Sequence, residues 1–442
     1  MSASAILGAV EHGWSGTDRF VVRPCGPLSG TVRAGGAKNS ALKLMAACLL
    51  AEGRHVLVDV PRITDVDIMA DVLRATGATV NRLPARPGSP EPGDLVIDVP
   101  RDVHPEAPYE LVERMRASVV VLGPLLARCG RARVSMPGGD DFGHRPIDMH
   151  LSGLGAMGVE FDTVHGYVEG TVVGGGPLVG AHVVLEYPSH TVTDNLLMAA
   201  ALSKGTTVID NAAREPEVLD LANALRSMGA VVRGAGTSRI EVEGAAELHP
   251  ARHRVVADRV VAATFLAAAG MAGGEVVVSD ARVEHMEMLV RKLRDMGLQV
   301  EHGPDGLRAT HTGRIRSVDV STLPYPGVAT DYKPFLVTML SVAEGVGIVT
   351  ENLFSGRFRY VDELRRMGAD IRTEGHHAVV RGVERLSGAP VRATDLRAGA
   401  ALVLAGLAAE GETVVADAHH VDRGYDDFAG KLRALGADVQ RV

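Results

Sequence analysis

Apolar and polar positions along the chain fall into two interleaved patterns, each recurring six times. In the first, a leucine, a polar stretch, a glycine and a β-prone apolar pair follow in order: LRATGATV (73–80), LGAMGVEF (154–161), LRSMGAVV (225–232), LRDMGLQV (293–300), LRRMGADI (364–371) and LRALGADV (432–439). Their glycines, Gly77, Gly158, Gly229, Gly297, Gly368 and Gly436, stand 68 to 81 residues apart. In the second, an Ala/Leu-rich run ends in Gly53, Gly130, Gly205, Gly274, Gly345 or Gly411 and passes into a short β-branched stretch. A glycine after the last apolar turn supplies the left-handed residue that ends a helix without a Cβ penalty. The β-branched run beyond it predicts a strand. Helix–glycine–strand is common in any α/β chain, but two such series in strict alternation predict a repeat of about 70 residues, with two helices in each unit.

Six units exceed what one core holds, because single cores stop growing near 250 residues. The repeat therefore predicts an α/β fold of two domains, three units in each, dividing near residues 245–255. Such a pair leaves a cleft for ligands. Aromatic residues make up only 4% of the 442, so the cores must be built from Ala, Val, Leu, Ile and Met. The formal charge of −8 argues against general nucleic-acid binding, yet a few cations focused in one cleft would still attract a small anion. Cys25, Cys48 and Cys129 form no close pair, which suits a reducing cytoplasm rather than a disulfide framework. The N-terminal residues lack the basic stretch of a signal peptide. The longest apolar stretches, Val260–Gly274 and Ala398–Ala409, fall short of the roughly 18–20 residues of a membrane span. The expectation is a cytoplasmic protein without a membrane anchor.

Four features place charge where loops are expected. GGAKNS (35–40) combines close backbone approach with the point charge of Lys38; it lacks the spacing of a Walker loop, and a solvated turn is the plainer reading. PGGDDFGHRPIDMH (137–150) packs three glycines, two prolines, three acids, Arg145 and two histidines into one segment, a candidate flap or a polar surface loop. Within it Asp140 and Asp141 are adjacent carboxylates, whose repulsion raises the pKa of one. LPYPGVATDYKP (323–334) carries Asp331 just before a predicted helix, where an acid is more often a cap than a base. Finally, Arg116, Arg357, Arg397 and Arg423 lie at element ends. Singly each reads as a surface ion pair; together with Lys38 and Arg145 they suit a substrate bearing phosphate and carboxylate. The pairs His376/His377 and His419/His420 are too isolated to suggest a metal site.

Over nearly its whole length the chain resembles the UDP-N-acetylglucosamine 1-carboxyvinyltransferase family, relatives of enolpyruvylshikimate phosphate synthase. The motifs that carry the resemblance are GGAKN, RAS, GPL, PGG followed by G-x-RP-x-D-x-H, NAAREPE, TEN-x-F-x-x-RF, TDLRA and DRGY. It implies an inside-out α/β barrel of two domains. Residues 1–37 would pack with the C-terminal domain, 38–250 would form the domain carrying the flap 137–150, and 251–442 would form the second. It implies that Lys38 and Asn39 grip phosphoenolpyruvate and that Arg116, Arg145, Arg357, Arg397 and Arg423 line the cleft. Arg145-Pro146-Ile147-Asp148-Met149 would hold uracil, and Tyr187-Pro188-Ser189-His190 would meet the nucleotide phosphates. Asp331 would lie near the acceptor hydroxyl, and the backbone of Leu353 would meet the acetamido group. The reaction needs no redox cofactor and no metal, only an acid, a base and electrostatic stabilisation. Asp140 is assigned as the acid at C3 of phosphoenolpyruvate and Asp331 as the base, on a protein expected to be monomeric.

The chain departs from the family pattern at two places. Most members carry Cys where Asp140 stands. A carboxyl still protonated near neutrality needs a pKa lifted by about three units, roughly 4 kcal/mol, and without that thiol the epoxide fosfomycin should inhibit poorly. The family's S-V-G-A-T run reads Ser189-His190-Thr191-Val192-Thr193, and its F-P-T-D reads Val328-Ala329-Thr330-Asp331. The kept uracil segment beside these changes leaves two acceptors open: the 3-hydroxyl of UDP-N-acetylglucosamine, in peptidoglycan precursor synthesis, or the 3′-hydroxyl of UMP, as in nucleoside-antibiotic pathways. A nucleotide-binding paralogue without chemistry is the third reading.

Overall fold

The computed structural model describes residues 18–85, 92–136, 146–354 and 356–442. Six four-stranded sheets repeat one plan. In the third, His182–Val184 pairs in parallel with Thr206–Asp210, which pairs antiparallel with Arg239–Glu243, which in turn pairs antiparallel with Val231–Arg233. The other five have the same strand order and directions. All twelve glycines of the two sequence patterns take the left-handed backbone, with φ between 68° and 111°. Each unit thus turns from helix to strand twice.

The two helices of a unit differ in burial because their sequences differ in pattern. The Ala/Leu-rich helices, such as Arg259–Ala272 and Leu396–Leu407, are buried along almost every residue. The others, such as Glu287–Asp295, bury one stripe, Leu289, Val290 and Leu293, and leave the opposite face in solvent. In the C-terminal half the buried helices Arg259–Ala272, Lys333–Leu340 and Leu396–Leu407 pack against one another inside a wall of sheets. This is the inside-out α/β barrel, present twice. The α/β fold of repeated units read from the glycines, and the inside-out barrel implied by the resemblance, are the ones observed.

Three strands are lent between distant parts of the chain. Arg19–Arg23 fills the third position of the last sheet, between Thr413–Ala416 and Asp438–Arg441. Leu28–Arg33 adds to Gly274–Ser279 in the C-terminal half, and Arg252–Arg254 adds to Gly53–Val58 in the N-terminal half. One hydrophobic core takes Ala37 through Val255, and the other takes Phe20 to Ala34 with Val260 to Val439. The two crossings touch at the Gly36–Ala257 bridge. We propose that bridge as the domain boundary, which places Arg252–Arg254 with the first domain rather than beyond a division at residue 250. Among the described residues no helix is long and apolar enough to cross a membrane.

Candidate active site

Basic residues stand at or near the start of the buried helix in each of the six units. They are Lys38 of Lys38–Ala47, Arg116 at the start of the 3₁₀ turn leading into Leu122–Cys129, His190 of His190–Ala200, Arg259 of Arg259–Ala272, Lys333 of Lys333–Leu340 and Arg397 of Leu396–Leu407. A helix start already carries partial positive charge from its unpaired N–H groups. Side-chain cations add to that field. Several of these starts meet where the domains touch: the Lys38 N–H donates to Asp258 (3.1 Å), whose other oxygen caps Val260 and Val261 of the opposite domain.

Buried acids hold the cations apart. Asp65, 1% exposed, ties the domains together by accepting from Lys38 Nζ at 2.7 Å and Arg423 Nε at 2.9 Å. Burial alone would raise its pKa, but Lys38 and Arg423 outweigh that and hold it below the usual carboxylate value. Glu217 accepts from Arg259 Nε at 2.9 Å, and Arg259 also donates to the Tyr332 hydroxyl. Asp331 accepts from Arg357 Nη1 at 2.7 Å and lies 3.7 Å from Arg397 Nε. Burial pushes Asp331 up, and Arg357, Arg397 and Lys38 together bring it well below the carboxylate range. Asp331 does not cap the helix that follows it.

Arg397 is the most telling of the cations. It is 1% exposed, and its Nε and Nη1 are buried without a hydrogen-bond partner among the described residues. Such donors are costly to leave unmet, and an incoming anion would satisfy them. Asp395 caps the helix and accepts from the Arg397 and Ala398 N–H groups, which fixes the guanidinium's origin. The structure therefore brings Lys38, Asp331, Arg357, Arg397 and, through Asp65, Arg423 to one seam. Arg357 and Arg397 are buried, not surface ion-pair residues.

The nucleotide residues expected from the resemblance lie in the N-terminal domain, with one exception. Arg116 donates to the Pro146 carbonyl (3.1 Å), Ile147 is buried, and Asp148 and Met149 open the helix Asp148–Ala156. Asn39 accepts from Lys43 Nζ through its carbonyl. Tyr187 and Pro188 precede the Ser189 start of His190–Ala200, where His190 lies 3.4 Å from Lys43 Nζ. Burial, with Glu215 and Glu351 nearby, pushes the Tyr187 hydroxyl up to about 12. The exception is Leu353: its N–H is committed to Glu351 at 2.8 Å, so only its carbonyl can face a ligand. Asp140, Asp141 and Arg145 lie outside the described residues.

A cleft of about 1130 Å³ opens elsewhere, along the crossing strands, lined by Arg33, Asp59, Arg254, Asp280, Arg282 and His285. Among the described residues, none of those singled out from the sequence lines it. The residues not singled out are the acids Asp65, Asp258, Glu217 and Glu351 and the cations Arg259 and Lys333. Superposing the units on their glycines would have exposed Arg259 as the counterpart of Lys38, each 15 residues before its glycine, whereas Lys333, 12 residues before Gly345, falls out of that register.

Comparison with known proteins defines the class. The chain belongs to the EPSP synthase (3-phosphoshikimate 1-carboxyvinyltransferase) family, whose model matches residues 22–432. It is an enolpyruvyl transferase. It is 48% identical over 426 residues to the UDP-N-acetylglucosamine 1-carboxyvinyltransferase of Nocardia farcinica, across 96% of this chain and 99% of that protein. The enzyme of the same name from Mycobacterium tuberculosis is equally similar over the same shares. Among solved structures, the enolpyruvyl transferase NikO from Streptomyces tendae superposes with a TM-score of 0.84 at 26% identity, over 96% of this chain and 98% of that one. EPSP synthase from Acinetobacter baumannii shares the fold, with a TM-score of 0.73 at 19% identity over 96% and 99% of the two chains.

Replacing Asp65 by Asn leaves Lys38 and Arg423 facing a neutral amide, so unfolding in denaturant should show a loss of about 3–5 kcal/mol near neutrality. Because the folded pKa of Asp65 is depressed, its contribution is complete above the unfolded value of 3.8 and is lost as pH falls through the lower folded value. The gap between wild type and variant should therefore close below that pH; a gap that persists there would refute the clamp.

Proposed function

We propose that the protein transfers the enolpyruvyl group of phosphoenolpyruvate to the 3-hydroxyl of UDP-N-acetylglucosamine, releasing phosphate. The observation that carries this reading is Arg397, whose buried Nε and Nη1 have no hydrogen-bond partner among the described residues and lie beside the Asp331 carboxylate. The 48% identity to enzymes of that name over almost the whole chain supports the acceptor. The phosphate and carboxylate of the donor engage Lys38 and Arg397, with Arg116, Arg145, Arg357 and Arg423 lining the cleft around both substrates. Arg145 to Met149 hold the uracil, Tyr187 to His190 the diphosphate, and the Leu353 carbonyl the acetamido N–H. Asn39 supports the donor side.

In the first step the acceptor oxygen bonds to C2 of phosphoenolpyruvate, its proton passes to Asp331, and C3 gains a proton from Asp140 in place of a thiol. In the second, C3 returns a proton and the C2–O bond to phosphate breaks. Asp331 is a weak base while the arginines hold it low. Donor anions give Arg397 and Lys38 other partners and add negative charge nearby, and both effects raise its basicity when the cleft is filled. UMP is the second acceptor to consider, favoured by Thr191 where the family's tight glycine is usual. The protein acts alone as a monomer, in the cytoplasm.

Phosphate release from phosphoenolpyruvate should require UDP-N-acetylglucosamine. Release with UMP alone would transfer the assignment to that nucleotide, and release with neither would leave a binding protein. Fosfomycin should not inactivate the wild type, while the Asp140→Cys variant should acquire time-dependent inactivation that phosphoenolpyruvate slows or promotes. Time-dependent inactivation of the wild type, the behaviour of a reactive thiol, would overturn the role given to Asp140.

A further inference from the structure

Behind the cleft, Lys333 and Glu351 form an ion pair at 2.8 Å with both side chains fully buried. Burying two charges is expensive, and an apolar pair of similar volume often serves stability as well or better. What an apolar pair cannot do is gather polar groups. Glu351 Oε1 accepts from Thr322 Oγ1 (2.7 Å) and the N–H groups of Leu353 (2.8 Å) and Phe354 (3.1 Å). Its Oε2 accepts from Thr330 Oγ1 at 2.7 Å. Lys333 Nζ donates to the Arg357 carbonyl and lies 3.9 Å from the centre of the Phe358 ring. Thr330 Oγ1 in turn accepts from Arg357 Nη1, the same nitrogen that reaches Asp331. Two charges thereby lock the turn before Asp331, the segment 351–354 and the origin of Arg357.

We propose that Lys333 and Glu351 are positioning residues of the transfer reaction, holding Asp331 and Arg357 in reacting register without touching substrate. The proposal rests on the role given above to Asp331. Groups of charge facing Lys333 are Glu351, Arg357 and Asp395. Burial pulls the Lys333 ammonium down to about 8; Glu351 and Asp395 oppose this and Arg357 adds to it. The ammonium therefore loses its proton as pH rises through about 8, leaving Glu351 unpaired, while Asp331 stays ionised throughout. Between that value and the unfolded 10.5 the unfolded chain binds more protons, so this titration by itself makes the fold more stable as pH rises. A rate that falls in this window while thermal stability does not is the signature of lost positioning.

The test compares wild type with the double variant Lys333→Gln/Glu351→Gln, which keeps polar partners and removes both charges. Turnover of phosphoenolpyruvate with UDP-N-acetylglucosamine is followed between about pH 6 and pH 10, beside thermal melts and amide hydrogen exchange. The double variant should melt within a few degrees of wild type, lose about 30–100-fold in kcat with little change in KM for phosphoenolpyruvate, and lack the wild-type alkaline limb near pH 8. Exchange at the Leu353 and Phe354 amides should quicken at least ~10-fold. Unchanged kcat and pH profile, or activity lost only in proportion to the unfolded fraction, would overturn the proposal. If the variant does not fold, the wild type decides: a limb near pH 8 without a falling Tm supports positioning, and its absence overturns it. A wild type that turns over no acceptor sinks the functional reading instead; the exchange rates then decide for or against the pair's hold on the loop.

Discussion

Like charges collected at one seam repel, and the structure is organised around countering that repulsion. Two cations 4 Å apart cost about 4 kcal/mol at an effective dielectric constant of 20, and the helix starts add their own positive ends. Each of these cations near the seam therefore has an acid beside it, all of the acids buried except the partly exposed Asp331: Asp65 for Lys38 and Arg423, Glu217 for Arg259, Glu351 for Lys333, Asp331 for Arg357 and Arg397. Five of these six contacts are close, at 2.7 to 2.9 Å. The Asp331–Arg397 contact is loose, at 3.7 Å, and Arg397 Nε and Nη1 have no hydrogen-bond partner among the described residues. That imbalance is where we propose that an anionic donor is recognised.

The repeat architecture explains how so many charges reach one place. A helix whose whole surface is apolar must lie inside, and three such helices per domain fill a core with their first turns at one end. Because each unit puts a basic residue at or near that first turn, the fold concentrates positive charge as a consequence of repetition. Two domains facing each other then form the cleft. The crossing strands Leu28–Arg33 and Arg252–Arg254 each complete a sheet of the domain beyond the crossing, which ties the halves mechanically beside the electrostatic clamp of Asp65.

The fold was largely legible because glycine marks what the backbone requires. Twelve glycines at fixed offsets announced twelve left-handed turns, and these fixed the number of units. Arg397 and Asp331 were legible through TDLRA and the TDYKP run, as was Lys38 through GGAKNS. Their burial was not, because an arginine at an element end reads as solvated until its neighbours are known. The lent strands were hidden for a different reason: RHR at 252–254 has no apolar alternation, and only its position beside Gly53–Val58 makes it a strand. The counter-charges Asp65 and Glu351 were hidden by sequence separation. Asp65 meets Arg423 across 358 residues, and no local pattern reports such a pair.

A crystal structure with phosphoenolpyruvate and UDP-N-acetylglucosamine bound measures the central claim directly. The account requires the donor's phosphate and carboxylate oxygens within about 3.2 Å of Lys38 Nζ and the Arg397 guanidinium, the Asp331–Arg397 contact opened beyond 3.7 Å, and the Asp331 carboxylate turned to the acceptor hydroxyl. A donor seated instead in the cleft beside Arg33 and Arg254, with Asp331 and Arg397 undisturbed, would contradict it.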